Sequence, residues 1–316
     1  MRYMILLFLA AALGTACGTS ARRSQAGFDG SFGSAWETLP AATSAFGCPG
    51  YTDYTPAGET GLIALNGTAA ARFTPLGGWI DLATAPINFS CWPGAAWVGD
   101  SLYVLRDGSV YAYDTIGNAW STPVPGGVAD TDSAQMTHDD SGHVYALETD
   151  SPYRIVRFTV ASNTVDYLDT GGFSGASVSE PRIAWDSRSQ RLYVGPDFSG
   201  PRLFAFDPNV PGTTVELASV PAEGGGIGTG LGDPFCGDRS GHLYAIGDTG
   251  CSDSATVYQY DIASDVWNRL PDLPANHGCN GACTVSDDGF LYLSPGDSTI
   301  LYRIALGKGA GGEIFR

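Results

Sequence analysis

Six short apolar cores recur along the chain: Leu62-Ile63, Leu102-Tyr103, Val144-Tyr145, Leu192-Tyr193, Leu243-Tyr244 and Leu291-Tyr292. Their spacings are 40, 42, 48, 51 and 48 residues. Self-similarity at a period of about 46 residues is the mark of a repeat architecture, and short β-type cores at that period point to propeller blades of four strands each. The turns ahead of three cores are alike: Asp140-Ser-Gly-His143, Asp238-Arg-Ser-Gly-His242 and Asp287-Asp-Gly289. Each places an Asp that can hydrogen-bond its own turn next to a Gly that accepts a left-handed backbone, as a tight hairpin requires.

A second strand follows each core, with large residues alternating, as in Val110-Tyr-Ala-Tyr113, Ile155-Val-Arg-Phe158, Leu203-Phe-Ala-Phe206, Val257-Tyr-Gln-Tyr260 and Ile300-Leu-Tyr-Arg-Ile304. Period-two patterning with aromatic and β-branched residues reads as strand. Outermost strands are predicted around Trp79, Trp120 and Trp267. No segment keeps a 3.6-residue apolar period, so helices should be few. The 43 glycines and 19 prolines among 316 residues suit a chain with many turns. The fold class that follows is all-β, a six-bladed β-propeller of four-stranded antiparallel blades over residues 35–306.

The ends of the chain predict how the ring closes. Trp36-Glu-Thr-Leu39-Pro40 matches the outermost-strand pattern of Trp267-Asn-Arg-Leu270-Pro271, yet precedes the first full unit. Residues 35–39 would then supply the missing outer strand of the sixth blade, removing the open edge that a non-closed ring would expose. The competing filler is Glu313-Ile314-Phe315-Arg316, beyond the Gly-rich start of a tail at 307–316.

Arg2, an apolar run from Met4 to Leu13 and then Gly14-Thr15-Ala16-Cys17 have the layout of a signal peptide over residues 1–16. Cleavage leaves Cys17 at the new terminus, where a bacterial lipoprotein carries its lipid. The expected location is therefore the cell envelope, as an outer-membrane lipoprotein, or the medium after simple cleavage. Residues 17–34 read as a linker. In an oxidising compartment Cys48, Cys91, Cys236, Cys251, Cys279 and Cys283 are disulfide candidates, with pairing left open. Cys279 and Cys283 alone make a poor zinc motif, because no second pair stands at finger spacing.

The charge balance, 33 acidic against 16 basic side chains and a net −17, excludes the nucleic-acid backbone as a partner. Lys308 is the one lysine, so Schiff-base chemistry has almost no candidate.

Tyr260-Asp261-x5-Trp267-x2-Leu270-Pro271 and Tyr113-Asp114-x5-Trp120, with Phe206-Asp207-Pro208 as a fainter copy, resemble the end of a kelch repeat. The paired glycines usual after the second kelch strand are replaced by Gly195-Pro196 and Gly247-Asp248. The chain is thus similar to the kelch-like propellers, the group that includes the galactose-oxidase propeller. The resemblance implies the propeller fold, and the exported members of that group include a sugar mutarotase.

If the first strand of each blade lines the channel, the loops that enter those strands share one face. Counting back from the cores puts Tyr51, Trp92, Asp132, Glu180, Arg182, Asp233 and His277 there, beside Cys48, Cys91 and Cys279. Aromatic rings, carboxylates, one arginine and one histidine around a hole suit a polyhydroxylated ligand. Alternatively, they cap a water-filled channel. His143 and His242 share one repeat position and read as structural, whereas His138 falls on an inner strand. No cofactor is expected. Calcium is the one candidate metal, on Asp130 and Asp132, Asp248 and Asp253, or Asp287 and Asp288, though none has the spacing of a defined calcium loop. Two functions remain. One is a tethered binding module for a glycan or an envelope or extracellular protein; the other is a mutarotase- or epimerase-like enzyme using Glu180, Arg182 and His277.

Overall fold

The computed structural model describes residues 28–32, 35–41, 50–54, 61–89, 94–106, 108–125, 135–147, 154–171, 182–195, 202–221, 234–247, 255–275, 281–294 and 300–308. They form six antiparallel sheets, each with consecutive strands as neighbours. From innermost strand outward, blade one is Gly50–Tyr54, Gly61–Asn66, Ala69–Thr74 and Gly78–Asp81. Blade two is Ala96–Val98, Ser101–Arg106, Ser109–Asp114 and Ala119–Trp120, with Val124–Pro125 as a further partner of its third strand. Blade three is Met136–His138, His143–Leu147, Ile155–Thr159 and Thr164–Leu168; blade four is Ile183–Asp186, Arg191–Val194, Leu203–Phe206 and Thr214–Leu217. Blade five is Phe235–Gly237, His242–Gly247, Thr256–Asp261 and Val266–Arg269. Blade six begins with Ala282–Ser286, Phe290–Ser294 and Leu301–Lys308.

The amino-terminal segment completes blade six. Glu37, Thr38 and Leu39 pair antiparallel with Arg303, Tyr302 and Leu301. The ring is therefore closed by the amino-terminal strand, and the slot proposed for residues 313–316 is taken. The long third strand also accepts Phe28–Phe32, from the segment read as linker, near Leu306 and Lys308. Innermost strands touch in a closed cycle, blade one against two, through to six against one. They wall the hub.

The core lies between blades rather than along the axis. Because successive strand residues point to opposite faces, the two residues of each repeated core face different neighbours. Ile63 of blade one packs with Leu102 of blade two, and Leu62 packs with Tyr292 of blade six. The same exchange joins Tyr145 to Leu192, Tyr193 to Leu243, and Tyr244 to Leu291. Both faces of each sheet are thus buried, which is why the second strands lack polar alternation.

Outer strands add a repeated clamp. The indole N–H groups of Trp36, Trp79, Trp120 and Trp267 donate to the carbonyls of Pro271, Pro40, Ala83 and Ala218, at 2.8–3.0 Å. Each acceptor lies just past the outermost strand of the preceding blade. In two blades a second prong holds the same residue. Asn118 Oδ1 accepts from the Ala83 N–H (2.8 Å) and the Tyr113 hydroxyl (2.7 Å). Asp265 Oδ1 accepts from the Ala218 N–H and the Tyr260 hydroxyl. Asn118 and Asp265 sit at φ 47° and 55°, a left-handed conformation that Asn and Asp tolerate better than other side chains. The spacing of Tyr-Asp-x5-Trp is thereby explained: tyrosine, turn residue and tryptophan grip one neighbouring peptide.

Candidate functional site

In blades two to six the innermost strand runs from the side of the preceding blade to a tight hairpin, and blade one's strand runs in the same sense. One face of the ring therefore collects the arriving loops, and the opposite face collects the hairpins. Arg182 lies directly ahead of blade four's innermost strand and is buried, and its carbonyl accepts from the Gly195 N–H. Tyr51 is in blade one's innermost strand, paired with Ala64. Both stand at the entrance end of their strands. Trp92, Asp132, Glu180, Asp233 and His277 lie outside the described residues, as do Cys17, Cys48, Cys91, Cys251 and Cys279.

Cys236 and Cys283 form a disulfide between the innermost strands of blades five and six, with Cα atoms 5.8 Å apart. It crosses the interface that also buries Tyr244 and Leu291.

Below the entrance, Gln135, Thr137, His138, Trp185, Arg239 and Thr284 contribute to the wall of the hub cavity. An innermost strand has one edge without a ladder partner, and its backbone groups need other acceptors and donors. Side chains supply several. Thr137 Oγ1 accepts from the Trp185 N–H at 3.1 Å, and the Gln135 amide donates to the Phe235 carbonyl at 2.7 Å. The second bond reaches from blade three to blade five. At the hairpin end the same two blades meet again: Arg239 Nη2 pairs with Asp140 at 2.7 Å, and Nη1 lies against His138 Nε2. Side chains thus cross the hub at two levels.

The hairpins have their own repeated chemistry. Asp238 Oδ1 accepts from the N–H groups of Ser240 (2.7 Å) and His242 (3.0 Å), and Oδ2 from His242 Nδ1 (2.7 Å). Asp139 does the same for Ser141 and His143, and also accepts from the Tyr145 hydroxyl. The turn carboxylate of blade three is therefore Asp139, not Asp140. Matching the two hairpins on Gly142 and Gly241 aligns Asp139 with Asp238 and frees Asp140 for Arg239. Burial would raise the Asp139 pKa, but the hydrogen bonds from His143 and Ser141 outweigh it and hold it below the usual range. His143 and His242 are structural, as their shared repeat position implies.

In blade six, Asp288 accepts from Ser286 and from Tyr292, whose hydroxyl is pushed up to about 12 by burial and then by Asp288. This carboxylate, one of the calcium candidates, serves its own turn. Asp130, Asp132, Asp248 and Asp253 lie outside the described residues. Among the described residues no three His, Cys, Asp or Glu side chains come together as metal ligands.

Sequence reasoning placed His138 on an inner strand but missed its partner. The available signal was charge: Asp140 and Arg239 hold the same place in matching hairpins with opposite sign.

No protein-family model matches the chain, and no curated protein does. Solved structures do. YjhT aligns with a TM-score of 0.62 at 12% identity, covering 81% of this chain and 91% of that one. The fold is theirs. A gluconolactonase from Xanthomonas campestris aligns with a TM-score of 0.60 at 17% identity, covering 86% of this chain and 89% of that one. At such identities the likeness establishes the six-bladed propeller alone.

Proposed function

We propose that the chain is an exported, kelch-like binding module, tethered through Cys17, that recognises a glycan or an envelope or extracellular protein at the entrance face. The supporting observation is the common direction of the innermost strands, which gathers six arriving loops around one mouth. Buried Arg182 sits at the root of one of them. The side chains that cross the hub between blades three and five favour the mouth over the axis as the place where a sugar-sized or larger partner docks. In this reading Tyr51 and Trp92 stack on the ligand. Asp132, Glu180 and Asp233 accept its hydroxyls, and Arg182 and His277 donate. Glycan arrays and envelope pull-downs with the lipid-free chain should find a partner that Trp92→Ala, Asp132→Asn or Glu180→Gln weakens about tenfold or more, the scale of one or two lost polar contacts. Unchanged binding in all three variants removes this face from the account.

A second reading, a sugar-processing enzyme, is favoured by the structural likeness to a gluconolactonase. Here Glu180 and His277 exchange protons with a sugar held by Arg182, as a mutarotase or epimerase would need. Anomer interconversion followed by NMR separates the two readings. Acceleration that Glu180→Gln abolishes supports the enzyme, whereas spontaneous rates leave the binding module.

A further inference from the structure

The contact between Arg239 and His138 is not part of the repeated hairpin chemistry, and three observations make it unusual. First, it joins blades three and five over the innermost strand of blade four, so it is not a neighbour contact. Second, Arg239 holds a left-handed backbone at φ 61°, whereas Asp140, in the equivalent place of blade three, does not. A bulky residue in that conformation is strained, and such strain persists only where surrounding contacts impose it. Third, Arg239 Nη1 lies over the imidazole against both ring nitrogens, 3.1 Å from Nδ1 and nearer still to Nε2. Nδ1 is also 3.2 Å from the Asp139 carbonyl. A guanidinium this close is compatible with a neutral ring and opposes an imidazolium.

We propose that His138 and Arg239 form a proton-sensitive latch across the hairpin mouth of the hub. With His138 neutral, the guanidinium rests against the ring and the latch is closed. A proton on the ring sets two cations face to face, and the guanidinium must leave. It retains Asp140 as its ion partner on the exposed side, so opening swings Arg239 outward and uncovers the mouth.

The charged surroundings favour this switch. On its own hairpin, His138 has Asp139, already committed to His143 and Tyr145, and Asp140, committed to Arg239. Blade five brings Arg239, with Asp238 engaged by His242. Blade four brings Arg188, which donates to the Ser240 carbonyl, and Asp186, which accepts from the Ser189 N–H. Asp53 falls on blade one's innermost strand, toward the hairpin end. The innermost strands of blades two and six, Ala96–Val98 and Ala282–Ser286, carry no titratable residue apart from disulfide-bonded Cys283. Of these carboxylates only Asp186 keeps a buried oxygen, Oδ1, without a partner, and it is not among the groups that act on the His138 ring. Burial, followed by Arg239, holds His138 well below the ordinary histidine value, against the opposing pull of the Asp139 carbonyl. The latch is therefore closed at neutral pH and opens in acid.

The test follows the His138 ring resonances of the full chain by NMR against pH, alongside amide exchange of residues 237–242. The latch predicts proton uptake well below pH 6.5. It also predicts a roughly tenfold gain in proton affinity in Arg239→Gln, which removes the facing cation. Hairpin exchange should rise on acidification in the wild type but not in His138→Gln, which keeps a polar side chain of similar reach without titrating. A His138 that titrates like free imidazole, an affinity unmoved by Arg239→Gln, or equal acid responses in wild type and His138→Gln would each overturn it. Should His138→Gln not fold, the Arg239→Gln titration decides alone.

Discussion

Asp238 holds its hairpin through three hydrogen bonds while being 5% exposed, and Asp139 repeats the arrangement in blade three. Truncating such a carboxylate strands the donors turned toward it. Asp238→Ala should therefore cost about 3 kcal/mol in urea unfolding, with no loss at the entrance face on the opposite side of the ring. The same carboxylate sets a pH dependence. Burial alone would lower the proton affinity of His242, and Arg188 adds to that; Asp238 and Asp261 reverse the sign, so the folded value lies above 6.5. A raised folded pKa means that the stabilisation is complete below the unfolded value and fades as pH climbs through the folded one. The wild type should lose stability above pH ~6.5, and His242→Asn should flatten that fall, measured by unfolding at stepped pH. His138 acts with the opposite sign, withdrawing stability as pH falls below 6.5, because there the unfolded chain binds a proton that the folded chain refuses.

At the scale of strands and blades, the tryptophan clamp links each outer strand that carries it to the blade before it. Trp267→Phe keeps the aromatic packing on Tyr260 but removes the donor to the Ala218 carbonyl. A loss of about 1 kcal/mol follows, read as a fall of roughly 2 °C in a thermal melt for a domain of this size. These elements were legible in the sequence because they are local and repeated. The Leu-Tyr cores mark second strands, and Trp36 marks an outer strand wherever it lies in the chain. The disulfide was legible in its cysteines, since Cys236 and Cys283 both stood among the candidates, but not in its pairing. Cys236 pairs across its hairpin with Tyr244, whereas Cys283 pairs with Leu293, one residue past the equivalent Tyr292. That shift of one turns the two sulfurs toward each other from adjoining blades. The link between Arg239 and His138 left only the opposite charges of Arg239 and Asp140 as a trace in the sequence, since it depends on the width of the hub rather than on any spacing along the chain. The entrance loops vary in length and composition from blade to blade, so the repeat locates their ends but not their side chains.

For the whole molecule, closure decides everything else. A ring joined end to end removes the extra edge that an incomplete sixth blade would expose, completes the six blades, and sorts the loops onto two faces. The entrance-face ligand, the hairpin latch and the interblade disulfide all inherit their positions from it. In blade six the closing strand is held by three consecutive backbone pairs, by Glu37 on Arg303 at 2.7 Å, and by Trp36 reaching back to Pro271. Leu39 is buried with Leu301 and Tyr292 on the face toward blade one. The direct measurement is a set of backbone NOEs in the deuterated full chain. The account predicts cross-strand contacts placing Glu37, Thr38 and Leu39 opposite Arg303, Tyr302 and Leu301. Contacts from residues 313–316 to that strand instead, or from residues 37–39 to any other sheet, would contradict it.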